Sequence, residues 1–262
     1  MNLDLKNKKA IVCGSTQGIG KAAAMELASM GATVILLARN EDSLLKTKNE
    51  LDASNGQHHD YICADYSDPE QLKEKIANYI SKNGAVQILV NNTGGPAGGP
   101  ILNAKIEEFT QTFSNHLLCN HILVQALAPG MKESGYGRII NVISTSVKQP
   151  LKGLGVSNTI RAAVANWSKT LSLELAPFGI TVNNVLPGAT NTVRLSSLLD
   201  AKSSKTGIAL DELKEDMLSE IPANRFAEAH EIAAAIAFLA SPAAGYINGI
   251  NVPVDGGRTG CL

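Results

Sequence analysis

The sequence has little of what several functional classes require. Its 262 residues include 4 cysteines, far apart and without CxxC spacing, so we expect neither a disulfide framework nor a zinc site. Aromatic residues make up 4%, which disfavours a base-stacking platform. The net charge is -1, which predicts no electrostatic capture of nucleic acid. No apolar run approaches the ~20 residues of a membrane span. We therefore expect a cytoplasmic protein without a metal, nucleic-acid or membrane partner.

The sequence is rich in short apolar runs that alternate with longer segments of helical periodicity. The runs are continuous, as is typical of parallel strands buried on both faces. Predicted strands are residues 10–13, 33–38, 61–64, 88–90, 139–143, 181–186 and 250–254. Predicted helices are residues 19–30, 41–53, 69–82, 106–131, 159–176 and 231–240. This alternation predicts an α/β protein: a single domain over residues 1–262, with a Rossmann-type, doubly wound parallel β-sheet and helices on both faces.

Residues 189–223 interrupt this alternation. The segment is polar, with Lys202, Ser203, Ser204 and Lys205 in its middle. An insertion of this length after the carboxyl end of a strand predicts a mobile substrate lid over a ligand.

A glycine-rich loop follows the first predicted strand and opens the first predicted helix. Glycine lets the chain turn sharply and approach a pyrophosphate without a Cβ in the way, and the helix N-terminus favours phosphate. The spacing is GxxxGxG, and its strand–turn–helix context favours dinucleotide binding over a structural turn. The expected cofactor-binding residues are Gly14, Ser15, Thr16, Gln17, Gly18, Ile19 and Gly20.

The end of the second predicted strand indicates which dinucleotide binds. An acidic residue at this position contacts the ribose 2′-hydroxyl in many NAD-binding sheets, whereas an arginine accommodates a 2′-phosphate. This chain has Ala38 followed by Arg39 and Asn40. The pattern favours NADP(H) over NAD(H), with Arg39 and Asn40 in the site. The alternative is that Arg39 is a solvated surface residue.

Further motifs follow in order along the chain. They are Asp65 after the third strand, Asn91-Asn92-Thr93-Gly94, Pro187-Gly188 followed by Thr192, and Val254-Asp255-Gly256-Gly257. With the glycine loop, these motifs resemble the short-chain dehydrogenase/reductase family over nearly the whole chain, and the 3-oxoacyl-(acyl-carrier-protein) reductases in general character. The resemblance implies that Asp65 contacts the adenine and Thr192 the nicotinamide amide. It also assigns to the cofactor site Asn91, Asn92, Gly94, Pro187 and Gly188.

The catalytic residues of that family are an asparagine, a serine and a YxxxK pair. By resemblance, Ser144 occupies the serine position, but Ser157 stands on the tyrosine position and Arg161 on the lysine position. The asparagine position falls on His116, with Asn115 adjacent. The resemblance therefore implies a proton relay that is weakened or atypical.

The substituted side chains limit what this relay can do. A serine hydroxyl is a far weaker acid than a tyrosine, and Arg161 can hydrogen-bond a ribose but cannot release its proton. Ser144 can still supply a donor to a developing oxyanion. His116 is a candidate proton donor, the alternative being a structural histidine in a helix.

Two functions remain open from the sequence. The first is an NADP(H)-dependent oxidoreductase that interconverts a small-molecule carbonyl and an alcohol, 3-oxoacyl-like by resemblance. The second is a catalytically silent dinucleotide-binding sensor or assembly subunit. A carrier-linked substrate could meet Lys148 and Lys152, unless these lie on a solvated loop. The family resemblance also implies a homo-oligomer, a tetramer or dimer, formed through helices 106–131 and 159–176.

Overall fold

In the computed structural model, which describes residues 1–261, seven parallel strands form one sheet. The strands are β1 (Lys9–Cys13), β2 (Thr33–Ala38), β3 (Asp60–Cys63), β4 (Ile88–Asn91), β5 (Gly137–Val142), β6 (Ile180–Pro187) and β7 (Asn251–Val254). Their order is β3-β2-β1-β4-β5-β6-β7, so the winding direction reverses between β1 and β4. Such a reversal is where ligands bind in open α/β sheets. The predicted fold class is confirmed.

Nine α-helices are assigned within the described residues, and they cover both faces of the sheet. They are α1 (Gly18–Ser29), α2 (Glu41–Asn49), α3 (Pro69–Asn83), α4 (Ile106–Phe113), α5 (Cys119–Glu133), α6 (Gly155–Leu175), α7 (Val193–Thr206), α8 (Leu210–Ser219) and α9 (Ala229–Ala240). Neighbouring residues of β1 enter different cores: Val12 packs with α1 and α9, and Ile11 packs with α3 and α5. The apolar runs are continuous because both faces of the strands are buried.

One predicted helix is in fact two. The expected helix over residues 106–131 is divided into α4 and α5 by a π-helical turn at Ser114–Leu118, and His116 lies in that turn. A π turn inserts one extra residue into the helical ladder without changing the apolar pattern much, and such turns are frequent at functional sites. Hydrophobic periodicity alone therefore could not reveal it.

The segment expected to be a lid is also more ordered than its polarity indicates. Residues 189–223 contain α7 and α8, which the sequence analysis did not predict. The two helices bury a small apolar cluster of their own, formed by Leu195, Leu199 and Leu213. Three leucines spaced over 19 positions are too few to give a helical pattern against the polar background.

Within residues 1–261, no helix combines the length and apolarity needed to cross a membrane. The same part of the chain brings together no group of three or more metal-ligating side chains. All four cysteines are unpaired.

Candidate active site

A cleft of about 690 Å³ lies at the carboxyl ends of the strands, around the point where the winding reverses. Segments that follow all seven strands, β1 to β7, contribute to its walls. The residues predicted from sequence that line it are Gly14, Thr16, Gln17, Gly18, Ile19, Arg39, Asp65, Asn92, Gly94, Ser144, Ser157, Arg161, Pro187, Gly188 and Thr192. The fold thus brings residues separated by up to 178 positions into one site.

The glycine loop forms a wall of bare backbone, which we call the cradle and define as Gly14 and Gly18. Gly14 and Gly18 have φ angles of 57° and 53°, in the left-handed region that favours glycine. A Cβ on Gly14 would lie 2.5 Å from the carbonyl oxygen of Asn92. The Asn92 side chain in turn donates hydrogen bonds to the carbonyls of Cys13 and Gly14, at 3.2 and 3.3 Å. These contacts with Asn92 therefore hold the glycine loop in its conformation.

The cradle fits the diphosphate of a dinucleotide. It opens directly into α1, whose N-cap residue Gln17 makes no side-chain hydrogen bond to the first turn. The backbone N–H groups of that turn are therefore free of an internal cap, and they point towards the cleft with the positive end of the helix dipole. This combination is suited to an anion.

Two residues of the glycine loop lie behind the cleft rather than in it. Ser15 is buried, and its hydroxyl donates to the carbonyl of Leu37 at 3.5 Å. Gly20 faces the loop itself, because a Cβ there would overlap the Gly14 carbonyl. Both residues shape the loop and neither lines the cleft, so their expected role in binding the cofactor stays a prediction.

Two asparagines expected in the cofactor site are also outside the cleft. Asn40 caps α2, its side-chain oxygen accepting from the N–H of Ser43 at 2.8 Å. Asn91 is buried in the sheet, where its side chain donates to Asn141 at 2.8 Å. Asn141 donates on to Asn184, which lies on the next strand, at 3.0 Å. The ladder engages the amide nitrogen of Asn91, while its buried Oδ1 has no partner within residues 1–261, so this side chain supports the sheet and does not face the cleft.

Ser144 and Ser157 face the cleft from two elements. Ser144 follows β5, and its oxygen accepts from the N–H of Ser146 at 3.1 Å. Its own proton has no acceptor within residues 1–261, so the hydroxyl can donate to a ligand oxygen. Ser157 and Arg161 lie four residues apart on α6 and so share a face of that helix.

Arg161 is the most buried charge in the cleft, with 8% of its surface exposed. It donates to the carbonyls of Val142 and Thr93, at 3.0 and 3.4 Å. Burial, and then the neighbouring charge of Arg194, lower the pKa of Arg161 to about 10. The guanidinium therefore remains protonated at neutral pH.

His116 does not line the cleft that contains Ser144. It lines a second cavity of about 400 Å³, on the other side of residues 94–97, and its ring is bonded to the Thr93 hydroxyl at 2.6 Å. Burial, and then the charge of Arg161, lower the pKa of His116 to about 2. The imidazole is neutral near pH 7, so the structure does not favour the predicted role. The adjacent Asn115 does line the cleft.

No tyrosine of the described residues replaces the missing one. The hydroxyl of Tyr136 donates to Ala240 at the far edge of the sheet, and that of Tyr61 donates to Glu41. Tyr66 lines the cleft, but its hydroxyl is buried. Burial raises the pKa of Tyr66 well above its usual value, which makes it a poor acid.

The sequence analysis missed several residues of the cleft, among which Arg194 is the most informative. It lies in the first turn of α7, and its guanidinium donates to the carbonyl of Pro96 at 2.5 Å. Its position two residues after Thr192 was a usable signal. Lys148 and Lys152, for which a contact with a carrier and a solvated loop were both open, do not line the cleft. Other lining residues that were missed include Tyr66, Thr145, Leu195, Leu198 and Met217.

Comparisons with known proteins agree on one group. A family profile described as enoyl-(acyl carrier protein) reductase matches residues 14–259. The NADPH-dependent reductase BacG of Bacillus subtilis is 33% identical over 254 residues, which cover 97% of this chain and 98% of that protein. The 3-oxoacyl-[acyl-carrier-protein] reductase FabG of Haemophilus influenzae is 35% identical over 253 residues, with the same coverage. A solved structure of L-sorbose reductase from Gluconobacter frateurii, complexed with NADPH and L-sorbose, superposes with a TM-score of 0.93 at 31% identity, and covers 100% of both chains.

Proposed function

Because the chain belongs to the short-chain dehydrogenase/reductase family, we propose that it is an NADP(H)-dependent oxidoreductase that interconverts a carbonyl and an alcohol. One observation carries the proposal: the cradle, Arg39 and Ser144 line a single cleft at the carboxyl ends of the strands. The names of the relatives, which include NADPH-dependent reductases, support the choice of cofactor.

Different residues of the cleft bind different parts of the cofactor. The cradle and the N-terminus of α1 receive the diphosphate, and the exposed guanidinium of Arg39 receives the 2′-phosphate. Asp65 is placed for the adenine end and Thr192 for the nicotinamide end. Thr192 lies close to the cradle, since a Cβ on Gly18 would be 3.3 Å from its methyl group. NADPH, when bound, supplies the hydride to the carbonyl carbon.

The chain's own residues then polarise the carbonyl oxygen of the substrate and deliver a proton to it. Ser144 donates its hydroxyl hydrogen bond to the carbonyl oxygen, which polarises the bond. Arg161 provides a fixed positive charge that stabilises negative charge on that oxygen, but it keeps its own protons. The proton that completes the alcohol comes from water, passed through the hydroxyls of Ser144 and Ser157. We therefore propose an atypical relay, slower than one with a tyrosine by about 10²–10⁴-fold.

Residues 189–223 act as a substrate lid in this proposal. Leu195 and Leu198 from α7, and Met217 from α8, line the cleft. Apolar side chains in this position exclude water from the reacting atoms when the lid is closed.

A panel of carbonyl compounds with NADPH tests the function. We expect slow but measurable turnover by the native protein, which Ser144→Ala removes. The double variant Ser157→Tyr/Arg161→Lys restores the usual relay residues and should be faster. Turnover that is unaffected by Ser144→Ala would contradict the proposed role of this hydroxyl.

A second function is favoured by the substitutions at the relay positions. With Ser157 and Arg161 in place of a tyrosine and a lysine, the chain could be a catalytically silent dinucleotide-binding sensor or assembly subunit. The same panel separates the two functions. NADPH binding without turnover in the native protein, and turnover only in Ser157→Tyr/Arg161→Lys, would favour the silent protein.

We also propose that the protein is a homo-oligomer, a tetramer or dimer. Large apolar side chains are exposed along α4 to α6 and the turn between α4 and α5: Ile106, Phe113, Leu118 and Leu173. Exposed apolar surface of this kind often marks a protein interface. Light scattering coupled to size-exclusion chromatography gives the mass, and a monomeric mass at micromolar concentration would refute this proposal.

A further inference from the structure

Two arginines from different helices converge in the cleft, and we call them the arginine pair: Arg161 on α6 and Arg194 on α7. Their terminal Nη2 atoms lie 4.0 and 3.5 Å from the position that a Cβ on Gly95 would occupy. Both side chains line the cleft, and Gly95 leaves open the space between them. The pair therefore borders one small volume next to the loop after β4.

This volume carries positive charge without a counter-charge. No carboxylate within residues 1–261 forms a salt bridge with either arginine. Their acceptors are the carbonyls of Val142 and Thr93 for Arg161, and of Pro96 for Arg194. A guanidinium has five N–H donors, so several remain available on each side chain. Burial, and then the charge of Arg194, lower the pKa of Arg161 to about 10, so the side chain stays protonated at neutral pH.

Arg161 is buried, whereas Arg194 is exposed. The buried, uncompensated guanidinium of Arg161 is unfavourable unless a ligand supplies the opposite charge. The donors of arginine form a planar fork that matches a carboxylate in bidentate geometry. The Val142 carbonyl that holds Arg161 lies two residues before Ser144 on the same chain segment. An anion bound between the two arginines would therefore lie beside a substrate carbonyl group that is hydrogen-bonded to Ser144.

We propose that the arginine pair binds a carboxylate of the substrate, an inference that rests on the proposed function. The substrate is therefore an oxo acid rather than a neutral ketone. The carboxylate occupies the space above Gly95, and its two oxygens accept from Arg161 and Arg194. The carbonyl of the same molecule faces Ser144.

The diphosphate of the cofactor is the other possible source of negative charge. The cradle already offers a diphosphate the backbone N–H groups of α1, which follow β1. The arginine pair borders the loop after β4 instead, and Arg194 points to Pro96. The substrate is therefore the better occupant, and the experiment distinguishes the two.

Calorimetric titration of the NADP⁺-loaded protein tests the proposal, because NADP⁺ carries no hydride and binding is measured without turnover. The probes are 2-oxo-4-phenylbutanoate and its ethyl ester, which differ in the negative charge. We expect the acid to bind native protein about 10- to 100-fold more tightly than the ester, as is typical of hydrogen bonds to charged groups. Arg194→Met should abolish this preference while NADP⁺ binding persists.

Arg258→Met is the matched control, because Arg258 also lines the cleft but its guanidinium is paired with Glu220. This variant should keep the preference for the acid. Equal affinity of native protein for acid and ester, or a preference that survives in Arg194→Met, would overturn the proposal. So would weaker NADP⁺ binding in Arg194→Met with an unchanged preference, which would assign the arginine to the cofactor. A native protein that binds the acid selectively but not NADP⁺ would refute the proposed function and leave the arginine pair standing.

Discussion

The α-carbon of Gly20 faces the carbonyl oxygen of Gly14 so closely that a methyl group does not fit between them. A Cβ on Gly20 would also lie 2.6 Å from the side-chain nitrogen of Asn92. We predict that Gly20→Ala displaces the cradle, lowers the affinity for NADPH at least about tenfold, and destabilises the fold by ~1–3 kcal/mol. Calorimetry and denaturant unfolding measure the two effects. Gly260→Ala is the control, because Gly260 has open space around it and should change neither quantity.

Arg39 should determine the choice between the two dinucleotides. It is exposed in the cleft and forms no salt bridge with the described residues, so its guanidinium is available for a 2′-phosphate. We predict that Arg39→Ala weakens NADP⁺ binding about 10- to 100-fold and leaves NAD⁺ binding within about threefold. Arg225→Ala, which removes a surface arginine paired with Glu231, should alter neither affinity. An equal loss for both dinucleotides would contradict the assignment.

Ser144 should affect turnover far more than binding. Its oxygen is held by the N–H of Ser146, which leaves its proton for the substrate. We predict that Ser144→Ala lowers the rate of carbonyl reduction by about 10²–10³ and leaves the dissociation constant of NADPH unchanged. Ser146→Ala keeps the backbone N–H and removes a buried hydroxyl without a partner, so it is a matched control that should retain the native rate.

His116 should make the protein less stable in acid. Burial, followed by the charge of Arg161, lowers its pKa from 6.5 to about 2, so the folded protein keeps it neutral while the unfolded chain protonates it. The contribution of His116 to stability is therefore complete above pH ~6.5 and is lost as the pH falls towards ~2. Between pH 6 and 4, the free energy of unfolding should decrease by up to ~1.4 kcal/mol per pH unit more steeply in the native protein than in His116→Gln. Denaturant titrations at each pH give this free energy. If it changes with pH equally in the native protein and in His116→Gln, His116 is protonated in the folded state.

The sheet and the glycine loop could be predicted because their signals are local. Strands buried on both faces give unbroken apolar runs, and the φ angles of Gly14 and Gly18 explain why glycine stands there. The motifs also supplied many cleft residues, although fewer than half of the residues that line the cleft were predicted as site residues. Ser15 and Gly20 show the limit of this approach, since a motif does not say which of its members face a ligand.

Other parts of the site depend on contacts that a linear sequence does not carry. The approach of Arg161 and Arg194 depends on the paths of α6 and α7 and on the loop at Gly95, which are far apart in the chain. The π turn that holds His116 changes which neighbouring residue, His116 or Asn115, faces the cleft. α7 and α8 are stabilised by a three-leucine cluster that their polar sequence does not reveal.

The most direct test of the account is calorimetric titration of the ligand-free protein with NADPH and with NADH. The account predicts uptake of NADPH at a single site per chain and at least about tenfold weaker uptake of NADH, since only NADPH offers the phosphate that Arg39 is placed to bind. Absence of heat from both titrations, in protein shown to be folded, would contradict the account at its foundation.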